Sequence, residues 1–351
     1  MPKPLDQQVV VITGASSGIG RATAQKFGEA GATVVLAARN EEALRQAAKE
    51  VEASGGRSLV VLTDVGDWTQ VQQLAEITVD TFGRIDTWVN DAGVSVYATA
   101  EETTVEETQQ IMQTNFMGVV HGCTAVLPIM KAQGYGTIIN VGSVESQRAL
   151  PLQAAYGASK HAVKAYTETL RMEQMYEKTG VDVTLILPSG INTPLFNHAR
   201  SKTGHKPMPV PPAYPPELAA RAIVQAAQAP QRDIYVGGAG FFFWLMQKLS
   251  PALVDRFMIT GGAMYRLQTS PDPYTGPDNL EHPVPGTGRV EGDFAAITKP
   301  SLYTPLFELT PRWVRNGLSV GIPAAIVALI ARRRRDQKRR SRRLFGRSYR
   351  R

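Results

Sequence analysis

Thr13-Gly14-Ala15-Ser16-Ser17-Gly18-Ile19-Gly20 follows an apolar run, Val9-Val10-Val11-Ile12, and leads straight into Arg21-Ala22-Thr23-Ala24, which has helix composition. A strand, a glycine-rich turn and a helix start bring unpaired backbone N–H groups and the positive end of the helix dipole to the end of a sheet, where a pyrophosphate can sit. Glycine suits these positions because a side chain would block the approach of a diphosphate or the packing of helix on strand. Alone, the pattern also fits a tight connection that binds nothing. The rest of the chain has to decide.

Outward from this turn, short Val- and Ile-rich runs alternate with longer amphipathic stretches. Strands are expected near residues 8–13, 33–38, 58–63, 86–89, 136–142, 181–187 and 233–236. The runs are nearly unbroken rather than alternating, as when helices cover both faces of a sheet. Between them lies helix composition, as over residues 41–53, which the Gly55-Gly56 pair ends. The fold class expected is α/β: a doubly wound, mostly parallel seven-stranded sheet with helices on both faces, followed by a carboxyl-terminal extension. After Tyr265 the texture changes, with eight Pro and four Gly between residues 268 and 311. We therefore divide the chain into a dinucleotide-type domain over 1–265, an extended or wrapping linker over 266–311, and a short apolar segment with a basic tail over 312–351.

The turn resembles the Thr-Gly-x-x-x-Gly-x-Gly signature of the short-chain dehydrogenase/reductase family. The resemblance continues in order through Asn90-Asp91-Ala92-Gly93, Asn115, Ser143, Tyr156-x-x-x-Lys160 and Pro188-Ser189-Gly190-Ile191-Asn192-Thr193, and covers residues 5–240. It implies a Rossmann-fold oxidoreductase. It also implies a dinucleotide contacted by Gly14, Ser16, Ser17, Gly18, Ile19, Gly20, Arg39, Asp64, Val65, Asn90, Ala92, Gly93, Tyr156, Lys160, Pro188, Gly190, Ile191 and Thr193. The catalytic set implied is Asn115, Ser143, Tyr156 and Lys160. Two positions depart from the commoner pattern: Asp91 stands for a second Asn, and Ser189 for the Gly after Pro188.

Charge bears on the cofactor. An acid at the end of the second strand usually holds the ribose 2′-hydroxyl of NAD, whereas a nearby Arg suits the 2′-phosphate of NADP. This strand ends Val34-Val35-Leu36-Ala37-Ala38-Arg39-Asn40. NADP(H) is therefore expected over NAD(H), unless Arg39 is only a solvated residue at a helix start.

The catalytic roles follow from the chemistry. Hydride transfer to a carbonyl builds negative charge on oxygen, which needs a proton donor and a hydrogen-bonding clamp. Ser143 would hold the oxygen and Tyr156 would deliver the proton. A free phenol titrates near 10, so a neighbouring cation is needed to favour phenolate, and Lys160 lies four residues on, on the same helix face. By the resemblance, Lys160 also grips the nicotinamide ribose and Asn115 positions a water. The five histidines, His121, His161, His198, His205 and His282, show no metal spacing, and no metal is expected.

Residues 195–216, the expected substrate lid, hold six prolines together with Leu195, Phe196, Met208, Val210 and Tyr214. These bulky residues either form an apolar ceiling over a hydrophobic ketone or secondary alcohol, or pack on the body. Phe241-Phe242-Phe243-Trp244-Leu245-Met246 reads as a core-covering helix, a subunit interface or a membrane-facing wedge.

The net charge is +7, but residues 332–351 hold 12 bases and one acid, leaving 26 bases and 30 acids, a net −4, in the rest. The body is mildly acidic, and no nucleic acid is expected as a partner. One cysteine, Cys123, and a polar start, residues 1–8, point to a reducing, cytoplasmic location without a signal peptide. Residues 316–331, 16 in all and interrupted by Pro323, would make a helix of about 24 Å, short of the roughly 30 Å hydrocarbon core. With Trp313 and the basic tail, residues 312–351 read either as a peripheral attachment to an anionic membrane surface or as a solvated tail. Homo-oligomers are common in the resembled family, though nothing in the sequence marks an interface. A reading of another class is a non-catalytic NADP(H)-binding sensor or scaffold, against which stands the complete set of Ser143, Tyr156 and Lys160.

Overall fold

Seven apolar runs form one parallel sheet: β1 (Val9–Thr13), β2 (Thr33–Ala38), β3 (Arg57–Leu62), β4 (Thr87–Asn90), β5 (Gly136–Val141), β6 (Val181–Pro188) and β7 (Asp233–Val236). Their order is β7-β6-β5-β4-β1-β2-β3, and every pairing is parallel. Each strand lies within one residue of its expected bounds. The computed structural model describes residues 2–301. The apolar segment and basic tail expected over 312–351 lie outside the described residues.

Unbroken apolar strands need cover on both faces, and the crossover helices supply it. On one face lie α1 (Gly18–Glu29), α2 (Glu41–Ala53) and a later helix over Pro216–Gln228, with α1 packed between the other two. On the other lie α3 (Trp68–Phe82), α4 (Val105–Met112), α5 (Gly118–Gln133) and α6 (Ala154–Glu177). Local chemistry sets their ends. Asn40 caps α2 by accepting the Ala43 N–H at 3.0 Å, Asp67 caps α3, and Thr104 and Glu107 form a reciprocal capping box on α4. The central core joins Val9, Val11, Val35, Trp88, Ile138 and Leu185 of the strands to Leu74, Val126, Val163 and Leu170 of the helices.

Strand order reverses between β1 and β4, so the crevice at their carboxyl ends is the switch point where ligands bind in such sheets. The segment over residues 195–216 stands beyond β6 and is pinned twice. Arg200–Ser201 pairs with Val96–Tyr97, and His205–Pro207 pairs with Thr269–Pro273. Arg200 holds Glu107 and Asp278 in ion pairs, and Lys202 reaches Glu107 at 2.7 Å.

The Pro- and Gly-rich stretch assigned to a linker runs along the body as far as Ser301, within one compact unit. Gln268 is buried and donates to Pro151 O at 2.9 Å. Further on, Asn279 N donates to His198 O and Lys299 N to Ala213 O. The aromatic cluster lies in a helix over Gly238–Leu249. Phe241 meets the Tyr235 ring edge to face and Trp244 packs on it at a tilt, whereas Phe242, Leu245 and Leu249 are exposed. Among the described residues, no helix is long and apolar enough to cross a membrane.

Candidate active site

A cavity of about 560 Å³ opens at the carboxyl ends of β1, β4, β5 and β6. Gly14, Ser16, Ser17, Gly18, Ile19, Arg39, Asp64, Val65, Ala92, Gly93, Ser143, Tyr156, Lys160, Pro188, Gly190, Ile191 and Thr193 all line it. The glycine turn forms its floor. Gly14 has φ +73°, and a Cβ there would stand 2.9 Å from Ala92 Cα. At Gly20 a Cβ would collide with the Gly14 carbonyl, so this glycine packs the helix on the turn rather than lining the cavity. Its N–H donates to the Asp91 carboxylate, and the Gly18 N–H donates to Arg289 O at 3.0 Å. In the first turn of α1, the Ile19 N–H is left for a ligand.

Residues 279–289 close the far end of the cavity as a strap. Arg39 donates to Asn279 O at 2.5 Å and Glu281 O at 2.9 Å, Asn40 Nδ2 to Val284 O at 2.8 Å, and Arg21 to Thr287 O at 2.6 Å. Arg21 is itself paired with Glu50 at 2.5 Å, which holds the Glu50 carboxyl below its ordinary range. Pro283, Val284, Pro285 and Gly286 line the cavity. The sequence reading missed this contribution, for which proline and glycine content was the only signal.

The other end of the cavity concentrates buried ionisable groups. Tyr156 and Lys160 stand on α6, 8% and 4% exposed, with Lys160 Nζ 5.7 Å from the Tyr156 ring centre. Lys160 Nζ donates to Val141 O at 2.9 Å. Burial lowers the ammonium to about 8, against the opposing pull of Asp91 and Glu145. Burial raises Asp91 to about 7, opposed by Lys160 and the Gly20 N–H. Ser143 lies two residues beyond β5 and caps the 3₁₀ turn that follows; its hydroxyl accepts the Glu145 N–H at 3.1 Å and hydrogen-bonds the Tyr156 phenol.

The sequence argument had Lys160 bring the phenol down. In the fold, burial and then the Glu145 carboxyl raise Tyr156 well above its ordinary value, and the Ser143 hydrogen bond only partly offsets them. The phenol is therefore held neutral, the form that donates a proton.

Two further expected residues sit behind the cavity wall. Asn90, expected at the cofactor, is buried within the sheet. It accepts from Trp88 Nε1 at 2.8 Å and donates to Asn140 Oδ1 at 2.8 Å. Asn115 lies in a single π turn, Gln113–Met117, and is fully buried. Its side chain donates to Val94 O and Ser159 Oγ and accepts the Val94 N–H. Both amide N–H groups of Asn115 are thus occupied, and a water held by this residue would have to donate to one of its oxygens.

Of the expected ceiling, Leu195, Phe196 and Val210 line the cavity. Tyr214 packs on the body, where its hydroxyl accepts the Ala239 N–H at 3.2 Å. Ser189, just beyond β6, ties it to the end of β7 and to the helix over Gly238–Leu249, donating to Val236 O at 2.9 Å and accepting the Gly240 N–H at 2.9 Å. Cys123 is fully buried, which pushes its thiol up to about 12 and leaves it no nucleophilic role.

The family model described as short chain dehydrogenase matches residues 8–204. The chain belongs to this family. Among similar proteins, the uncharacterized oxidoreductase YxnA of Bacillus subtilis (strain 168) is 43% identical over 258 residues, 73% of this chain and 72% of its own. A short chain dehydrogenase/reductase from Burkholderia phymatum, solved in complex with NAD, superimposes with a TM-score of 0.65 at 28% identity. It covers 72% of this chain and 96% of its own. The alcohol dehydrogenase of the archaeon Thermococcus sibiricus, complexed with 5-hydroxy-NADP, gives a TM-score of 0.57 at 26% identity, covering 65% of this chain and 94% of its own. This short-chain dehydrogenase therefore shares its fold with proteins solved with either type of nicotinamide dinucleotide. A nicotinamide-binding Rossmann oxidoreductase is the common ground.

Proposed function

We propose that the enzyme transfers hydride between NADP(H) and a carbonyl or secondary alcohol on a largely apolar substrate, with Tyr156 as general acid and base. The observation that carries this reading is the convergence of a buried phenol, hydroxyl and ammonium on the cavity whose floor is the glycine turn. The residues fit a dinucleotide. The cradle at Gly14 has no room for a side chain, the Ile19 N–H is available to a phosphate, and Lys160 has two N–H groups beyond the one on Val141 O.

When bound, the nicotinamide ring would supply or accept the hydride. Ser143 would hold the substrate oxygen, and the neutral Tyr156 phenol would pass its proton to that oxygen as negative charge develops. The Lys160 ammonium would stabilise the resulting phenolate. The backbone carbonyl of Asn115 would hold a water in the path of the returning proton.

The preference for NADP(H) rests on Ala38, which supplies no carboxylate, and on Arg39, fixed beside the adenosine end by its two strap carbonyls. Leu195, Phe196 and Val210 support an apolar substrate body.

A carbonyl panel followed by NADPH absorbance, with wild type and Tyr156→Phe side by side, tests the reaction. Tight NADPH binding without turnover of any substrate overturns it in favour of a binding protein. Peripheral membrane attachment rests on the charge of residues 332–351 alone. Flotation with anionic liposomes of the full chain, but not of a chain ending at residue 311, would support it.

A further inference from the structure

Fifteen large apolar side chains are exposed among the described residues, and eight of them fall within residues 242–267. Most sit on two helices joined through Ser250, over Gly238–Leu249 and Pro251–Ile259. The first exposes Phe242, Leu245 and Leu249, spaced i, i+3 and i+7 on one face, and the second exposes Leu253 and Phe257, spaced i and i+4. Leu249 is 70% and Phe257 62% exposed. Both helices turn their other side to one cluster, where Phe243 and Met246 of the first pack on Val254 and Met258 of the second. Their exposed residues therefore share the outer side. Apolar surface concentrated in this way marks an interaction site.

Charge says what covers the face. Residues 1–331 are net −4, yet residues 238–267 hold three bases, Lys248, Arg256 and Arg266, against one acid. All three bases are exposed, and each precedes an exposed apolar residue: Leu249, Phe257 and Leu267. The acid, Asp255, is tied in an ion pair to Arg148. A second copy on this face would bring the same three bases from each partner into one interface, where charge is normally depleted. An anionic bilayer accepts both features together. Bases reach lipid phosphates on long apolar stems while aromatic and leucine side chains enter the acyl boundary. The first helix has 12 residues and is about 18 Å long, too short to cross, so the bilayer would receive it lying along the surface.

We propose that the outer side of these two helices is a docking surface for an anionic phospholipid bilayer. It is an element separate from the basic tail: the tail brings charge, whereas this face brings apolar contact with its own bases. The inner side of the pair rests on the cavity wall, because Leu150 and Val210 pack on the same cluster and line the cavity. Arg148, five residues beyond Ser143, donates to Gln247 Oε1 at 3.2 Å and pairs with Asp255, which fixes both helices to the loop that follows the Ser143 hydroxyl. Docking through this face turns the reaction end of the cavity toward the lipid.

The test uses the full chain carrying an environment-sensitive fluorophore at Leu249→Cys or, as a control, at Glu52→Cys on α2, by the opposite edge of the sheet. Cys123 is fully buried and stays unlabelled. Vesicles of phosphatidylcholine, alone or mixed with phosphatidylserine, are then added. Emission from position 249 should shift to the blue on the mixed vesicles, and emission from position 52 should not. The triple variant Phe242→Ser, Leu249→Ser, Phe257→Ser should partition onto mixed vesicles about tenfold more weakly or worse, with NADPH affinity and Tm close to wild type. No shift at position 249 on vesicles that bind the chain, or a triple variant that binds as well as wild type, overturns this inference and leaves attachment to the tail. A blue shift without vesicles that grows with protein concentration overturns it in favour of a second copy. One that is independent of concentration and vanishes in a chain ending at residue 311 overturns it in favour of the chain's own carboxyl-terminal segment. A wild type that binds neither kind of vesicle overturns both membrane readings.

Discussion

The two ends of the cavity are built on different physics. The end at Arg39 is made of backbone: a glycine turn, the Ile19 N–H, and a strap whose carbonyls hold Arg39, Asn40 and Arg21. The end at Tyr156 is made of titratable side chains, with Asp91, Glu145, Tyr156 and Lys160 crowded in a buried space. A shape that must accept one constant group can be made from main chain, which costs no desolvation of charge. Moving a proton needs groups whose charge can change, and burial makes each change consequential.

The contrast can be broken most sharply at the phenol. Tyr156→Phe should lower kcat by about a thousandfold while leaving the NADPH dissociation constant within about twofold of wild type, read by turnover and by nucleotide titration. Loss of binding along with rate would show that the two ends are not separable.

A second test uses pH. Burial raises Glu145 from 4.5 to about 8 and Asp91 from 3.8 to about 7, so the folded state binds more protons than the unfolded chain in between. Stability therefore falls as pH rises from about 4.5 toward 8. Lys160, lowered from 10.5 to about 8, acts in the opposite sense above that. The apo-protein should melt lowest near pH 8. Glu145→Gln should remove a share of the order of a few kcal/mol between pH 5 and 8, seen as a flatter plot of Tm against pH. Tyr97, Tyr156 and Lys160 face the same carboxyl, and the first two stay neutral across this range. An unchanged slope in Glu145→Gln would show that this carboxyl is hydrated rather than buried.

At the backbone end, Gly20→Val should destabilise the protein by about 1–3 kcal/mol and weaken NADPH binding, because the new side chain meets the Gly14 carbonyl and Asp91. Differential scanning calorimetry and nucleotide titration would read both effects. The smallest effect is expected from Arg39→Asp: the ratio of kcat/KM for NADPH over NADH should fall about tenfold. A wild-type ratio favouring NADH, or no change in the variant, would remove the assignment of NADP.

The sheet was legible because strands covered on both faces are nearly unbroken apolar runs, as β1 and β2 are apart from Thr13 and Thr33. Ser143, Tyr156 and Lys160 were legible through the resemblance of their motifs to those of the family, while spacing by itself placed only the last two on one helix face. Asn90 reads as a ligand contact beside its glycine motif, whereas its side chain is held by Trp88, two residues back on β4, and by Asn140, which becomes a neighbour only when β4 pairs with β5. Glu145 escaped notice because its burial beside Tyr156 and Lys160 arises only when α6 packs on the end of β5, which its own segment does not reveal. The extended or wrapping linker expected over 266–311 gave no sign of the strap's hydrogen bonds, because proline and glycine content records conformation and not attachment.

Main-chain oxygens are chemically the same under every side chain, so the strap's hold on Arg39, Asn40 and Gly18 is indifferent to most of its own lettering. What it must keep is path: its length between Asn279 and Arg289, and the bend at Gly288, where φ is +64° and a Cβ would press to 2.5 Å from Ser16 O. Sequence comparison would score such a segment as free to drift, while a one-residue deletion there would misalign every clasp at once.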